Sequence, residues 1–223
     1  MAYQNIHRVI HHLEEHSLVP VFYHDDAKIA CEVVRSCYEA GVRSFEVTNR
    51  GTNAPSVFAA LREFVSKNCP EMVLGIGTIF SYQTAMEFMR SGCDFVVSPA
   101  LVPHMQQVQS ASYTLWIPGC ATISELTLAH ELGARMMKVF PAHALTPEFL
   151  RAAKSVMPTL KLMPTGGIEP TYDHLRAWFG AGASCIGLGA QLISKEVIAN
   201  RDWKKLESAI GRAIALAQEA KIS

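Results

Sequence analysis

A (β/α)8 barrel, an α/β fold, is what this sequence predicts, on three observations. Short apolar runs alternate with longer segments of helical periodicity from one end to the other. The runs recur at intervals of roughly two dozen residues, the length of one strand-plus-helix unit. No Pro/Gly/Ser-rich linker or low-complexity stretch interrupts them, so residues 1–223 read as one barrel domain. A doubly wound open sheet uses the same elements, and strand count alone does not separate the two.

The elements follow in order. Residues 1–16 make an extra amphipathic helix whose apolar stripe is Ile6, Val9, Ile10 and Leu13, suited to packing on the barrel bottom. Eight apolar runs then read as strands: Leu18–Tyr23, Ser44–Thr48, Met72–Thr78, Phe95–Pro99, Leu115–Gly119, Met136–Phe140, Lys161–Thr165 and Ser184–Gly189. Helical spacing fills the gaps; in Lys28–Ala40, for example, Ile29, Val33, Val34 and Cys37 share a face. Thr122-Ile-Ser-Glu125 fits a capping box. Gly41, Gly92, Gly133 and Gly182 each fall between a helix and the next strand, where a left-handed helix-ending residue is expected.

Composition narrows the function classes. Of 223 residues 49% are hydrophobic, enough for a sizeable core, and 20 basic residues balance 20 acidic ones. Without a strong field of either sign, nucleic acid and anionic membrane are not expected partners. The six cysteines form no CxxC pair, which argues for free core thiols in a reducing compartment. The first residues, MAYQNIHRVIHHLEEH, lack the pattern of a signal peptide, and no span reads as transmembrane, so a soluble cytoplasmic protein is expected.

Two charged residues break the apolar pattern. Side chains alternate sides along a strand, so Met136, Lys138 and Phe140 share one face and Met137 and Val139 the other. In SFEVT, Glu46 likewise opposes Phe45 and Val47. The outer face of a barrel strand packs under helices and takes the apolar residues, which leaves Lys138 and Glu46 pointing inward. A buried ion pair or a snorkelling lysine explains this without function, but a desolvated pair stabilises little. An amine held away from water becomes nucleophilic and suits Schiff-base formation with a carbonyl substrate. A carboxylate beside it can move the protons.

Active sites of such barrels lie at the C-terminal strand ends. There Arg50 offers a fork for a carboxylate, Thr78 and Thr165 offer hydroxyls, and the glycines of PTGG and GLG let backbone N–H groups approach an anion. Each signal is weak alone; GIG and GLG carry little information and neither makes a dinucleotide fingerprint.

Taken in order, FEVTNR, GIGT, VSPA, IPG, MKVFPA and MPTGGI resemble the bacterial 2-keto-3-deoxy-6-phosphogluconate (KDPG) and 4-hydroxy-2-oxoglutarate (KHG) aldolase family, from about Leu18 to Leu192. The resemblance implies a class I pyruvate aldolase that uses no metal or other cofactor, takes a small-molecule 2-keto acid and forms a homotrimer. By position it implies Lys138 as the Schiff-base lysine and Glu46 as general acid/base. Arg50 and Thr78 then hold the pyruvate carboxylate, with Phe140 and Pro99 lining the pocket. Thr165 lies near the substrate hydroxyls, and Gly166, Gly167, Gly189 and Ala190 lie toward the distal or phosphate end.

Four positions depart from the family pattern: Ala100, Asn49, His143 and, above all, Ala190, where a phosphate-binding serine is common. A phosphosugar isomerase or epimerase on the same barrel, or a non-catalytic sugar-acid-binding protein, are the alternatives; neither needs the central lysine. The histidines of the first helix, with His12 and His16 at i, i+4 spacing, read as a solvated face with no HExxH motif.

Overall fold

The computed structural model describes residues 2–222 and forms a parallel barrel ringed by helices. Helix α1 (Ala2–His16) precedes β1 (Leu18–Phe22) and α2 (Ala27–Glu39). Then follow β2 (Ser44–Thr48), α3 (Ala54–Asn68), β3 (Val73–Gly77), α4 (Tyr82–Arg90) and β4 (Phe95–Val97). A 3₁₀ turn (Pro103–Met105) leads into α5 (Gln106–Ser112), and α6 (Ile123–Glu131) follows β5 (Leu115–Ile117) and β6 (Gly119–Cys120). The second half runs β7 (Met137–Val139), α7 (Ala142–Val156), β8 (Leu162–Pro164), α8 (Tyr172–Gly180), β9 (Ile186–Leu188), α9 (Lys195–Ala199) and α10 (Trp203–Ile222).

The strands pair in parallel as β5-β4-β3-β2-β1-β9 and β6-β7-β8. The fifth expected strand is split into β5 and β6 because Pro118 has no N–H for the ladder. Its carbonyl still accepts from Lys138 N at 2.8 Å, so chain continuity joins the two sheets there. On the other side a bridge between Thr165 and Gly187 and a bond from Ser184 N to Leu162 O (2.9 Å) join β8 to β9. The sheet therefore closes, and the open doubly wound alternative falls away. Most observed strands also stop short of the expected runs: Tyr23, Thr78, Pro99, Phe140, Thr165 and Gly189 lie just past their ends. Those residues leave the ladder to form the mouth of the barrel.

Two apolar layers result. Outward-facing residues such as Phe45, Val47, Met137 and Val139 pack beneath the helices. Inside the barrel, Val19, Val73, Phe95, Val97, Leu115, Ile117, Met136, Met163 and Cys185 form a separate cluster with Ile6, Val9, Ile10 and Leu13 of α1. The first helix thus plugs the base, each of its buried side chains contributing about 1.5–3 kcal/mol. Glu14 pairs with Lys161, and Lys221 Nζ reaches the Glu14 carbonyl and Ser17 Oγ.

Local signals in the sequence reappear with one amendment. Gly41, Gly92, Gly133 and Gly182 all have positive φ, between 85° and 104°. Thr122 caps α6 by accepting from Glu125 N at 3.1 Å, while the Glu125 carboxylate reaches back to Ala121 N, one residue earlier than the motif expects. The histidines of α1 are not all solvated. His12 and His16 are half-buried, their rings 4.5 Å apart, and His12 Nε2 meets the Arg43 carbonyl at 2.8 Å. Burial, then the neighbouring His12, lowers the pKa of His16. Among the described residues no group of three or more His, Cys, Asp or Glu is placed to hold a metal ion, and no helix is long and apolar enough to cross a membrane.

Candidate active site

Met136, just before β7, enters the apolar base, and Lys138 on the strand stands one inward position higher. On β2 the same alternation raises Glu46 above Ser44. Barrel closure brings the two together: Lys138 Nζ lies 3.3 Å from Glu46 Oε1 and 3.4 Å from Oε2. Their side chains are 6% and 1% exposed, so the pair sits in a low-dielectric setting yet borders open space. An ammonium has three donors, and among the described residues Glu46 is the one hydrogen-bonding partner of this one. The separations exceed those of a tight charge-assisted bond, which leaves the nitrogen free to turn toward a ligand. The Phe140 ring lies 5.4 Å from it, within cation–π range.

Glycine makes the room. A Cβ on Gly77 would collide with the Glu46 carboxylate, one on Gly75 with the Phe95 ring, and one on Gly187 with the Thr165 hydroxyl. GIG and GLG, uninformative as sequence motifs, are thus the space in which the carboxylate and the threonine stand. Both carry inward-facing positions at which a side chain would displace a polar group.

Above the pair opens a cavity of about 650 Å³, a volume suited to a small-molecule ligand. Lys138, Glu46, Arg50, Thr78, Pro99 and Phe140 line it, as do Thr165, Gly166, Gly189 and Ala190. Gly167, with φ 77° and packed against His143, is not among the lining residues, and neither is His143. Arg50 is exposed, and among the described residues no carboxylate pairs with its guanidinium. Thr78 holds φ at 63°, a left-handed conformation rare for a β-branched residue. That strain, worth about 1–3 kcal/mol, is sustained where the hydroxyl meets the cavity.

The sequence reading missed one side of the chamber. Val21, Phe22, Tyr23 and His24 line it from the end of β1, Thr48 from β2, and Gln191, Ile193, Lys195, Ile198 and Ala199 from α9 and the turn before it. His24 stands just past the expected strand Leu18–Tyr23 but belongs to no motif, and the five residues of α9 show no periodicity of their own. At the rim, Tyr23 donates to Asp25 Oδ1 at 2.5 Å, and Gly51 lies so close that a Cβ there would strike both groups. The loops after β1 and β2 are therefore fitted to each other.

Comparison with known proteins agrees with this geometry. The family described as KDPG and KHG aldolase matches residues 9–209. The 2-dehydro-3-deoxy-6-phosphogalactonate aldolase of Escherichia coli is 30% identical over 162 residues, 71% of this chain and 76% of that one. The 2-dehydro-3-deoxy-phosphogluconate aldolase of Pseudoalteromonas atlantica is 28% identical over 199 residues, covering 89% and 90%. Among solved structures, the KDPG aldolase of Legionella pneumophila, with pyruvate captured as a covalent carbinolamine, superposes with a TM-score of 0.81 at 25% identity, over 88% of this chain and 93% of that one. With a lysine–glutamate pair at the floor of its barrel mouth and a family match along most of its length, this chain belongs to the KDPG and KHG aldolase family and is a carbon–carbon lyase.

Proposed function

We propose that the cavity is the active site of a class I pyruvate aldolase in which Lys138 is the nucleophile and Glu46 the proton carrier. The observation that carries this reading is the buried Lys138–Glu46 pair, 3.3 Å apart, at the floor of a 650 Å³ chamber. The Lys138 amine attacks the 2-keto carbon of the substrate. Glu46 shuttles a proton onto the departing hydroxyl, and water leaves to form the imine. Removal of the C4 hydroxyl proton then breaks the C3–C4 bond. Its electron pair flows into the imine, giving an enamine, and the aldehyde departs. Protonation of the enamine at C3 and hydrolysis of the imine release pyruvate and restore the amine.

The other lining residues fit supporting parts. Arg50 and Thr78 receive the keto-acid carboxylate, the first through a planar fork. Phe140 and Pro99 wall the reacting carbons, and Thr165 and Gly166 face the hydroxylated chain. Gly189 and Ala190 stand toward its far end. We take 2-keto-3-deoxy-6-phosphogluconate as the substrate, cleaved to pyruvate and glyceraldehyde 3-phosphate. The protein acts as a homotrimer in the cytoplasm. Exposed Phe80 (55%) and Leu128 (41%) supply apolar surface for contact between copies, and six free cysteines suit a reducing compartment.

Borohydride trapping tests this reading. After incubation with pyruvate and reduction, peptide mass spectrometry is expected to find the adduct on Lys138 and none in Lys138→Ala. A folded protein that takes up no adduct overturns the Schiff-base assignment.

A further inference from the structure

The chamber is lined by a second set of polar groups, His24 and Lys195, to which the reading above gives no part. We propose that His24 and Lys195 read a terminal anionic group, phosphate or carboxylate, on the aldehyde end of the substrate. The inference rests on the aldolase reading above and names the residues that select among its substrates.

Three observations support it. First, the donor edge of His24 is set by the backbone. Asp26 N–H donates to His24 Nδ1 at 3.0 Å, and an amide nitrogen can only donate, so the neutral imidazole carries its proton on Nε2. The ring stacks on Phe22 (centroids 6.4 Å apart, 19° between planes) and lines the cavity. Second, Lys195 lines the same chamber with no carboxylate to neutralise it among the described residues. The nearby acids are engaged elsewhere: Glu196 pairs with Lys205 at 3.3 Å, Asp25 accepts from Tyr23, and Asp26 accepts from Lys28 N. Third, the charges lining the chamber do not balance. Lys138 and Glu46 offset each other, leaving Arg50 and Lys195 as two uncompensated cations. One carboxylate of a 2-keto acid answers the first; the second calls for another anion.

Much of the remaining wall is apolar, with Val21, Phe22, Ile193 and Ile198. Such walls strengthen a charge interaction across them. Ala190 brings no hydroxyl to the chamber, so an imidazole N–H and an ammonium take over what a serine would do.

The test is aldol addition of pyruvate to three acceptors: glyceraldehyde 3-phosphate, succinic semialdehyde and uncharged glyceraldehyde. The quantity read is kcat/KM for each charged acceptor divided by that for the neutral one. Lys195→Met is expected to lower this ratio at least about tenfold through KM, as loss of a charged hydrogen bond implies, and Lys195→Arg to restore it. His24→Phe, which keeps a ring on Phe22 but no donor, is expected to move the ratio the same way. A fall for the phosphorylated acceptor assigns phosphate, and a fall for the semialdehyde assigns carboxylate. Ratios that stay at the parent value in both Lys195→Met and His24→Phe overturn the proposal. Borohydride trapping on the parent enzyme separates this from failure of the aldolase reading, since an adduct on Lys138 with unmoved ratios sinks the anion reader alone.

Discussion

At its base the barrel interior is apolar and sealed; one inward position higher on the same strands it is charged and open. Met136, just before β7, gives way to Lys138, and Ser44 on β2 to Glu46. Just past β8, Met163 gives way to Thr165. A two-residue step along a strand covers about 6.6 Å, so core and chemistry are separated by a single layer of side chains. The base is closed by α1, which inserts Leu13 and its neighbours, whereas the mouth is built from loops and the short helix α9 around an open chamber. The difference teaches that one end of a barrel can be optimised for packing while the other holds groups that packing disfavours.

The largest effect expected from breaking this contrast comes at the mouth. Lys138→Met should lower aldol cleavage by at least ~10³-fold, since the covalent route is lost. It also strands the Glu46 carboxylate, costing about 3–5 kcal/mol, and the double variant Lys138→Met/Glu46→Gln should recover much of that loss in thermal unfolding. A single variant as stable as the parent would show that the pair does not behave as a buried one.

At the base the expected effect is the reverse in kind. Leu13→Ala empties a fully buried position and should cost about 2–5 kcal/mol. In a protein of this size that lowers Tm by about 2–4 °C per kcal/mol, while turnover per folded molecule stays that of the parent. A fall in turnover at temperatures where the variant is fully folded would break the division between a structural base and a chemical mouth.

The smallest pair of changes sharpens it. Ser44 is fully buried at the base, and its hydroxyl has no hydrogen-bond partner among the described residues. Ser44→Ala should therefore gain about 1 kcal/mol in denaturant unfolding, with no kinetic consequence. Thr78→Gly at the mouth should gain a similar amount by relieving the positive φ, but raise KM for pyruvate. An unsatisfied group at the base is then a defect, and a raised KM would show that the strained one at the mouth holds substrate.

Much of this was legible in the residues. The period-two alternation of MMKVF and SFEVT turned Lys138 and Glu46 inward before any contact was known, because pleating alone sets which side a residue takes. The stripe of α1 likewise identified the residues that plug the base. What escaped was the chamber's second wall. His24 and Lys195 are far apart in sequence and belong to no motif; the pairing of β1 with β9 makes the segments after those strands neighbours. Pro118 was read inside a strand, and only its missing N–H in a closed ladder shows why that strand divides.

By itself, then, the sequence determined the number and order of the barrel's strand positions, the helix ends at Gly41, Gly92, Gly133 and Gly182, and the inward face of each strand. These depend on local periodicity and on backbone conformations that neighbouring residues decide. Only the tertiary structure decided that Lys138 meets Glu46 from 92 positions away, that Gly77 leaves space for the carboxylate, and that Lys195 lines the cavity while Gly167 does not. Those facts depend on strand register and on closure of the sheet, which bring together residues that no local pattern relates.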